Sequence, residues 1–147
     1  MKRLFASAVT VAIVWVACGG SADSRALASA QNAWQAASVD SYSFVYSRTC
    51  ECDDVTSGLK RVDVVDGEVV SVTYLADGKE QAVDVGEYGY TIEALFELID
   101  ANAGRGIENN IDYADLGYPT LMMLDLEGMA VDGGFGLTVH DFTVDPA

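Results

Sequence analysis

The chain has 147 residues, with 23 acidic side chains against 8 basic ones, and a formal charge of −15 at pH 7. Half of its residues are hydrophobic, too many for a disordered polyelectrolyte, so a packed core is expected, and the length suits one domain. The charge argues against nucleic acid as a partner, because neutralising phosphates needs clustered Lys and Arg.

Met1-Lys2-Arg3 is a short cationic start, and residues 4–17 are an unbroken apolar or small run. Such a run has the length of a signal-peptide core and falls short of the roughly 20 residues that span a bilayer. It ends in Val16-Ala17-Cys18-Gly19-Gly20. Small residues before a cysteine, with Gly after it, resemble a bacterial lipoprotein cleavage site, where the cysteine becomes the lipidated first residue of the mature protein. The division read from this is a signal peptide over 1–17, a short tether over 18–23 and one globular domain over 24–147. An ordinary secretory signal cut nearby, or an uncleaved anchor, is the alternative. Cysteine arithmetic favours the lipid: three cysteines are an awkward number for a secreted protein, and a lipidated Cys18 leaves Cys50 and Cys52 as a pair. Loss of Lys2 and Arg3 would take the formal charge from −15 to −17. The expected location is the bacterial cell envelope, periplasmic or outer surface, with Cys18 holding the domain to the membrane.

Asp23 or Ser24 is placed to cap a first helix running to about Ala37, in which Leu27, Ala30, Trp34 and Ala37 form one apolar stripe. From Asp40 the period switches to two. Tyr42, Phe44 and Tyr46 alternate with Ser43, Val45 and Ser47, which predicts a strand with its aromatics inward. Asp66-Gly67 lies between the alternating runs Val62, Val64 and Val70, Val72, Tyr74, a strong hairpin signal, since a type I′ turn needs positive φ at both central residues. Asp77-Gly78 predicts a second hairpin, with Val83–Val85 as its returning strand. Thr91 caps a second long helix whose face is Ile92, Leu95, Phe96 and Ile99, with Gly104 as its terminator. Strands then recur at Ile111–Tyr113, Thr120–Leu124 and about Gly136–Val144. The predicted fold is α+β: an antiparallel sheet of about five or six strands with two helices packed on it.

The ordered series Trp34, Tyr42, Cys50-x-Cys52, Asp66-Gly67-Glu68-Val69-Val70, Thr91-Ile92-x-x-Leu95-Phe96, Ile111-Asp112-Tyr113 and Gly117-Tyr118-Pro119-Thr120 resembles a family of small bacterial envelope lipoproteins of unassigned function. The resemblance covers about residues 30–144. It implies class and location, and brings no catalytic residues with it.

Cys50-Glu51-Cys52 is the first candidate for chemistry. Positions i and i+2 of a straight strand lie about 6.6 Å apart, at the long end of the roughly 4.4–6.8 Å that a disulfide accepts. Closing so small a loop contributes only roughly 1.5 kcal/mol. Three readings follow: a bridge that shapes the strand end, a reactive strained dithiol, or, third, two free thiols or a metal pair. Glu51, Asp53 and Asp54 oppose thiolate formation, with Arg48 alone on the positive side. No metal or cofactor site is expected. One His and two Cys make a poor zinc set, and Asp63-Val64-Val65-Asp66-Gly67 lacks calcium-loop spacing, which leaves weak divalent cation binding by scattered carboxylates. His140 is the only imidazole, and alternation on a strand turns its neighbour Asp141 away from it. Tyr113, Gly117, Tyr118 and Pro119 are the candidates for partner contact, because tyrosine suits interfaces. The expected function is a non-catalytic binding or accessory module for an envelope protein partner. The competing expectation is a thiol-disulfide exchange protein using Cys50 and Cys52.

Overall fold

The computed structural model describes residues 22–50, 52–76, 79–103, 109–125 and 134–144. The signal peptide, Cys18, the tether as far as residue 21, the Asp77-Gly78 turn and Gly104 lie outside the described residues, whereas Ala22 and Asp23, expected in the tether, are helical. Among the described residues no helix is long and apolar enough to cross a membrane.

The two-residue alternation of the aromatics builds the middle of the sheet. Strand β1 (Tyr42–Thr49) buries Tyr42, Phe44 and Tyr46 and turns Ser43, Val45 and Ser47 the other way. It pairs antiparallel with β2 (Lys60–Val65), so that Tyr42 faces Val64, Phe44 faces Val62 and Tyr46 faces Lys60. Strand β3 (Glu68–Ala76) follows through Asp66 and Gly67, whose φ values of 52° and 78° are those the hairpin required. Strand β4 (Lys79–Ala82) closes this edge. On the other side of β1 lies β7 (Gly134–Val144), then β6 (Pro119–Asp125) and β5 (Asn110–Tyr113). The order is β4-β3-β2-β1-β7-β6-β5, with every neighbouring pair antiparallel.

Two of the helices are long. Helix α1 (Ala22–Ala37) buries Leu27, Ala30 and Trp34, the predicted stripe. Asp23 stands inside its first turn, where a negative charge suits the helix dipole. Between β1 and β2 comes α2 (Asp54–Ser57), capped by the Asp53 carboxylate on the Thr56 N–H. After β4 come α3 (Val85–Tyr88), capped by Asp84 on the Glu87 N–H, and α4 (Ile92–Asn102), capped by the Thr91 hydroxyl on the Ala94 N–H. Helices α3 and α4 carry the chain from the β4 edge to the β5 edge, α3 over β3 and α4 over β6.

The α+β class and the antiparallel sheet stand; the count of five or six strands and two helices is corrected to seven strands and four helices among the described residues. The extra helices are one turn each, too short to show a 3.6-residue period. The second hairpin returns through Lys79–Ala82, not Val83–Val85. All four residues of that strand are exposed, and a charged edge strand carries no alternation.

Three bulges reset which side chains face the helices. In β3 the register slips so that Val64 faces Val69 and Asp63 faces Ser71. Val70 is thereby turned out and is 57% exposed. In β7, Val139 faces Tyr46 and Asp141 faces Val45, leaving His140 as the extra residue and returning Phe142 to the buried side against Phe44. In β6, Thr120 is the extra residue opposite Asp112 and Tyr113. The core therefore lies in one layer between helices and sheet, with Ile92, Leu95, Phe96 and Ile99 of α4 set over the sheet's buried side chains. The opposite sheet face carries Ser43, Val45, Ser47, Arg61, Thr138 and Asp141, all half-buried or exposed.

Candidate functional site

Helices α1 and α4 lie side by side on the sheet, and between them opens a groove of about 540 Å³. Its α1 wall is Gln31, Gln35 and Ser38; its α4 wall is Glu93, Glu97 and Asp100. Gln31 and Gln35, spaced i, i+4, share a face of α1, with Ser38 just past its end, and Glu93, Glu97 and Asp100, spaced i, i+4, i+7, form a stripe along α4. Trp34 and Phe96 form the floor, both nearly buried, and Asp40 sits at one end. Among the described residues no Lys or Arg lines the groove.

The floor is held by a hydrogen-bond chain. Trp34 Nε1 donates to Glu93 Oε1 at 2.6 Å, and the Tyr42 hydroxyl lies 3.5 Å from Glu93 Oε2. The same hydroxyl accepts the Ile92 N–H at 2.8 Å, satisfying one of the free donors at the start of α4. Glu93 is thus fixed by two ring donors from different elements. The Trp34 ring is edge-on to Tyr42 at 5.4 Å and to Phe142 at 5.9 Å.

The partner-contact candidates are spread over internal contacts. Tyr113 stacks on Phe96 at 6.4 Å, and Tyr118 stacks on Phe142 at 4.2 Å. Gly117 is buried with φ +96°, against the α1 backbone at Ala30 and Trp34. Pro119 is buried at the start of β6. Gly117 packs directly on α1, while the two tyrosine rings lie against α4 and β7.

Cys50 and Cys52 are joined, with Cα atoms 5.3 Å apart, and both are exposed beyond the end of β1. The next residue, Asp53, caps α2, and its bonds to Thr56 hold its carboxyl below the usual range. Beneath α2 lies a residue that the sequence reading passed over. Lys60 is fully buried, with its Nζ donating to the Thr56 and Gly58 carbonyls at 2.9 and 3.0 Å. The rings of Tyr88, Tyr46 and Tyr74 surround that ammonium at 5.0, 5.5 and 5.9 Å. Burial lowers the Lys60 pKa, the Arg48 charge lowers it further, and Asp53 acts against both. In the sequence Lys60 stands two residues before Val62, ahead of the predicted alternating run. The alternation Lys60, Val62, Val64 was the available signal, since it sets all three on one face.

His140 stands at the β7 bulge on the open sheet face, its Nε2 2.9 Å from the Ser47 hydroxyl. Ser71 donates to Asp63 on the same face, and Arg61 lies 3.4 Å from Glu80. Among the described residues no three His, Cys, Asp or Glu side chains are grouped to hold a metal ion.

Burial raises the pKa of Tyr42 and Tyr46 well above the ordinary tyrosine range. For Tyr42 the Ile92 N–H pulls the other way and the Glu93 charge adds to the rise. A raised folded-state pKa means that the native protein keeps protons which unfolded tyrosines release above pH 10. Stability from this source is complete below pH 10 and is lost as pH rises past it. Burial raises the Tyr113 and Tyr118 pKa as well, so Lys60, whose lowered pKa works in the opposite sense below 10.5, is one group against four. We expect the unfolding free energy from urea titration, and with it the midpoint, to fall between pH 10 and pH 11.5, the free energy by up to about 1.4 kcal/mol per pH unit for each tyrosine. A flat midpoint there would mean that both hydroxyls ionise in the native state.

A comparison with curated proteins finds no match to the chain. Residues 26–144, which run from α1 to the end of β7 and include both groove walls, match the model of DUF6174, described as a family of unknown function, and the chain therefore belongs to that family.

Proposed function

We propose that this protein is a non-catalytic binding module of the bacterial cell envelope, tethered by a lipid on Cys18, which engages an envelope protein through the α1–α4 groove. The observation that carries the reading is the groove itself. It has the volume of a ligand site, two nearly buried aromatic residues beneath it, and polar side chains from both helices along its lining. Glu93 is held in place before any partner arrives, which lowers the ordering cost of binding.

The tether supports the same geometry. Four residue steps separate Cys18 from Ala22, the first residue of α1, a span of at most about 14 Å. The groove begins at Gln31, nine residues further along α1, roughly 14 Å up the helix axis. A lipid on Cys18 would thus hold the start of α1 at the membrane and leave the groove accessible beyond it. The Ser47–His140 pair, by contrast, is open to water on the far side of the sheet.

The test is site-specific photo-crosslinking in cells. A crosslinking residue at Gln35, in the groove, should give a discrete adduct that is lost in a Cys18→Ala background. The same residue at Thr143, on the open sheet face, should give none. Equal adducts from both positions, or adducts from Thr143 alone, would overturn the groove as the site.

A further inference from the structure

We infer that the occupant of this groove is an extended basic segment of a polypeptide, with Lys or Arg at alternate positions. The inference rests on the groove being the binding site and adds what it binds. The two walls differ in chemistry. The α4 wall presents Glu93, Glu97 and Asp100, and Asp40 closes one end; the α1 wall presents two carboxamides and a hydroxyl. One side is anionic, and the other offers neutral donors and acceptors suited to a peptide backbone.

Spacing narrows the choice. Glu93 and Glu97 are four residues apart on a helix, about 6 Å along its axis. Alternate side chains of an extended peptide leave the same face about 6.6 Å apart. A strand-like segment lying along the groove therefore sets successive cations opposite successive carboxylates, while Gln31 and Gln35 meet its amides. A single metal ion does not fit, because it needs converging ligands and these carboxylates are strung along an axis. Anionic lipid headgroups and nucleic acid are repelled by the same row.

The probe is a Lys-Gly-Lys-Gly-Lys peptide, with Gln-Gly-Gln-Gly-Gln as its neutral match and Ca²⁺ as a separate titrant. The chain has two tryptophans, Trp15 and Trp34. The full chain carrying Trp15→Phe, in neutral detergent, leaves Trp34 as the only reporter, on the groove floor. The basic peptide should produce a saturable change in Trp34 emission, and the neutral peptide should not. Glu97→Gln with Asp100→Asn should weaken the basic peptide by about tenfold, as expected for losing two partly solvated ion pairs. Both side chains are exposed on α4, and circular dichroism checks that the variant keeps its helices. An equal response to the neutral peptide, a response unchanged in the double variant, or saturation by Ca²⁺ in place of peptide would overturn the inference. Failure of the peptide alongside discrete Gln35 crosslinks would reject the basic occupant and keep the groove; failure of both would reject the groove.

Discussion

Replacing Gly117 by Ala should cost the domain about 3–5 kcal/mol, the largest loss expected from adding a single methyl group to this chain. Two costs coincide there. The residue has φ +96°, a conformation that L side chains rarely adopt. Its added Cβ would also stand 2.2 Å from the Ala30 carbonyl oxygen and 2.8 Å from the Trp34 nitrogen. Both atoms belong to the α1 backbone, which cannot yield like a flexible side chain, so the helix itself must move. Trp34 would leave its place beside Tyr42 and Phe142, and the bond to Glu93 would break. Urea denaturation gives the size of the loss, and a red shift of Trp34 emission reports the undocking. Gly67→Ala is the control, because that glycine has φ +78° with nothing within 4 Å of its would-be Cβ. It should cost only about 1 kcal/mol, from backbone strain alone. If the two variants lost the same amount, the contact with α1 would carry no energy, and the docking role given to the Gly117-Tyr118-Pro119 turn would be wrong.

That turn also shows how far the sequence could be read. Gly117, Tyr118 and Pro119 stood out as unusual, and tyrosine near glycine and proline is compatible with an exposed binding loop or with a tight internal junction. What decides between them is the position of Ala30 and Trp34, more than 80 residues earlier. Elements set by local chemistry were legible: the Asp66-Gly67 turn, the Thr91 cap, the apolar faces of α1 and α4, and the inward aromatics of β1. Features set by a neighbouring strand were not. The β3 bulge turns Val70 out of an alternation it seemed to share with Val72, and the β7 bulge moves the inward parity from Val139 to Phe142. The groove was invisible for the same reason. Gln31 and Gln35 lie on one helix, and Glu93, Glu97 and Asp100 on another some 60 residues away. Each row by itself has the look of a solvated helix face.

Lys60→Ala should destabilise the protein by about 3–4 kcal/mol, and here the cause is a hole as much as a charge. The four-carbon stem fills the space among Tyr46, Tyr74 and Tyr88, and the ammonium satisfies the Thr56 and Gly58 carbonyls. Truncation removes both at once. Lys60→Met separates them, keeping most of the volume and losing the donors. It also removes the desolvation cost of a buried cation, which burial already signals by lowering the Lys60 pKa. We therefore expect Lys60→Met to cost about 1–2 kcal/mol, clearly less than Lys60→Ala. Hydrogen exchange at the Ser57 and Gly58 amides locates the effect, since these close the single turn of α2 onto the Asp53 and Asp54 carbonyls. Faster exchange there in both variants, with a large global loss only in the alanine variant, would assign the charge to holding α2 and the stem to packing the core. Should the methionine variant lose as much as the alanine variant, the two carbonyl bonds would outweigh the packing. The segment after Cys52 would then be held to the sheet chiefly by one buried ammonium.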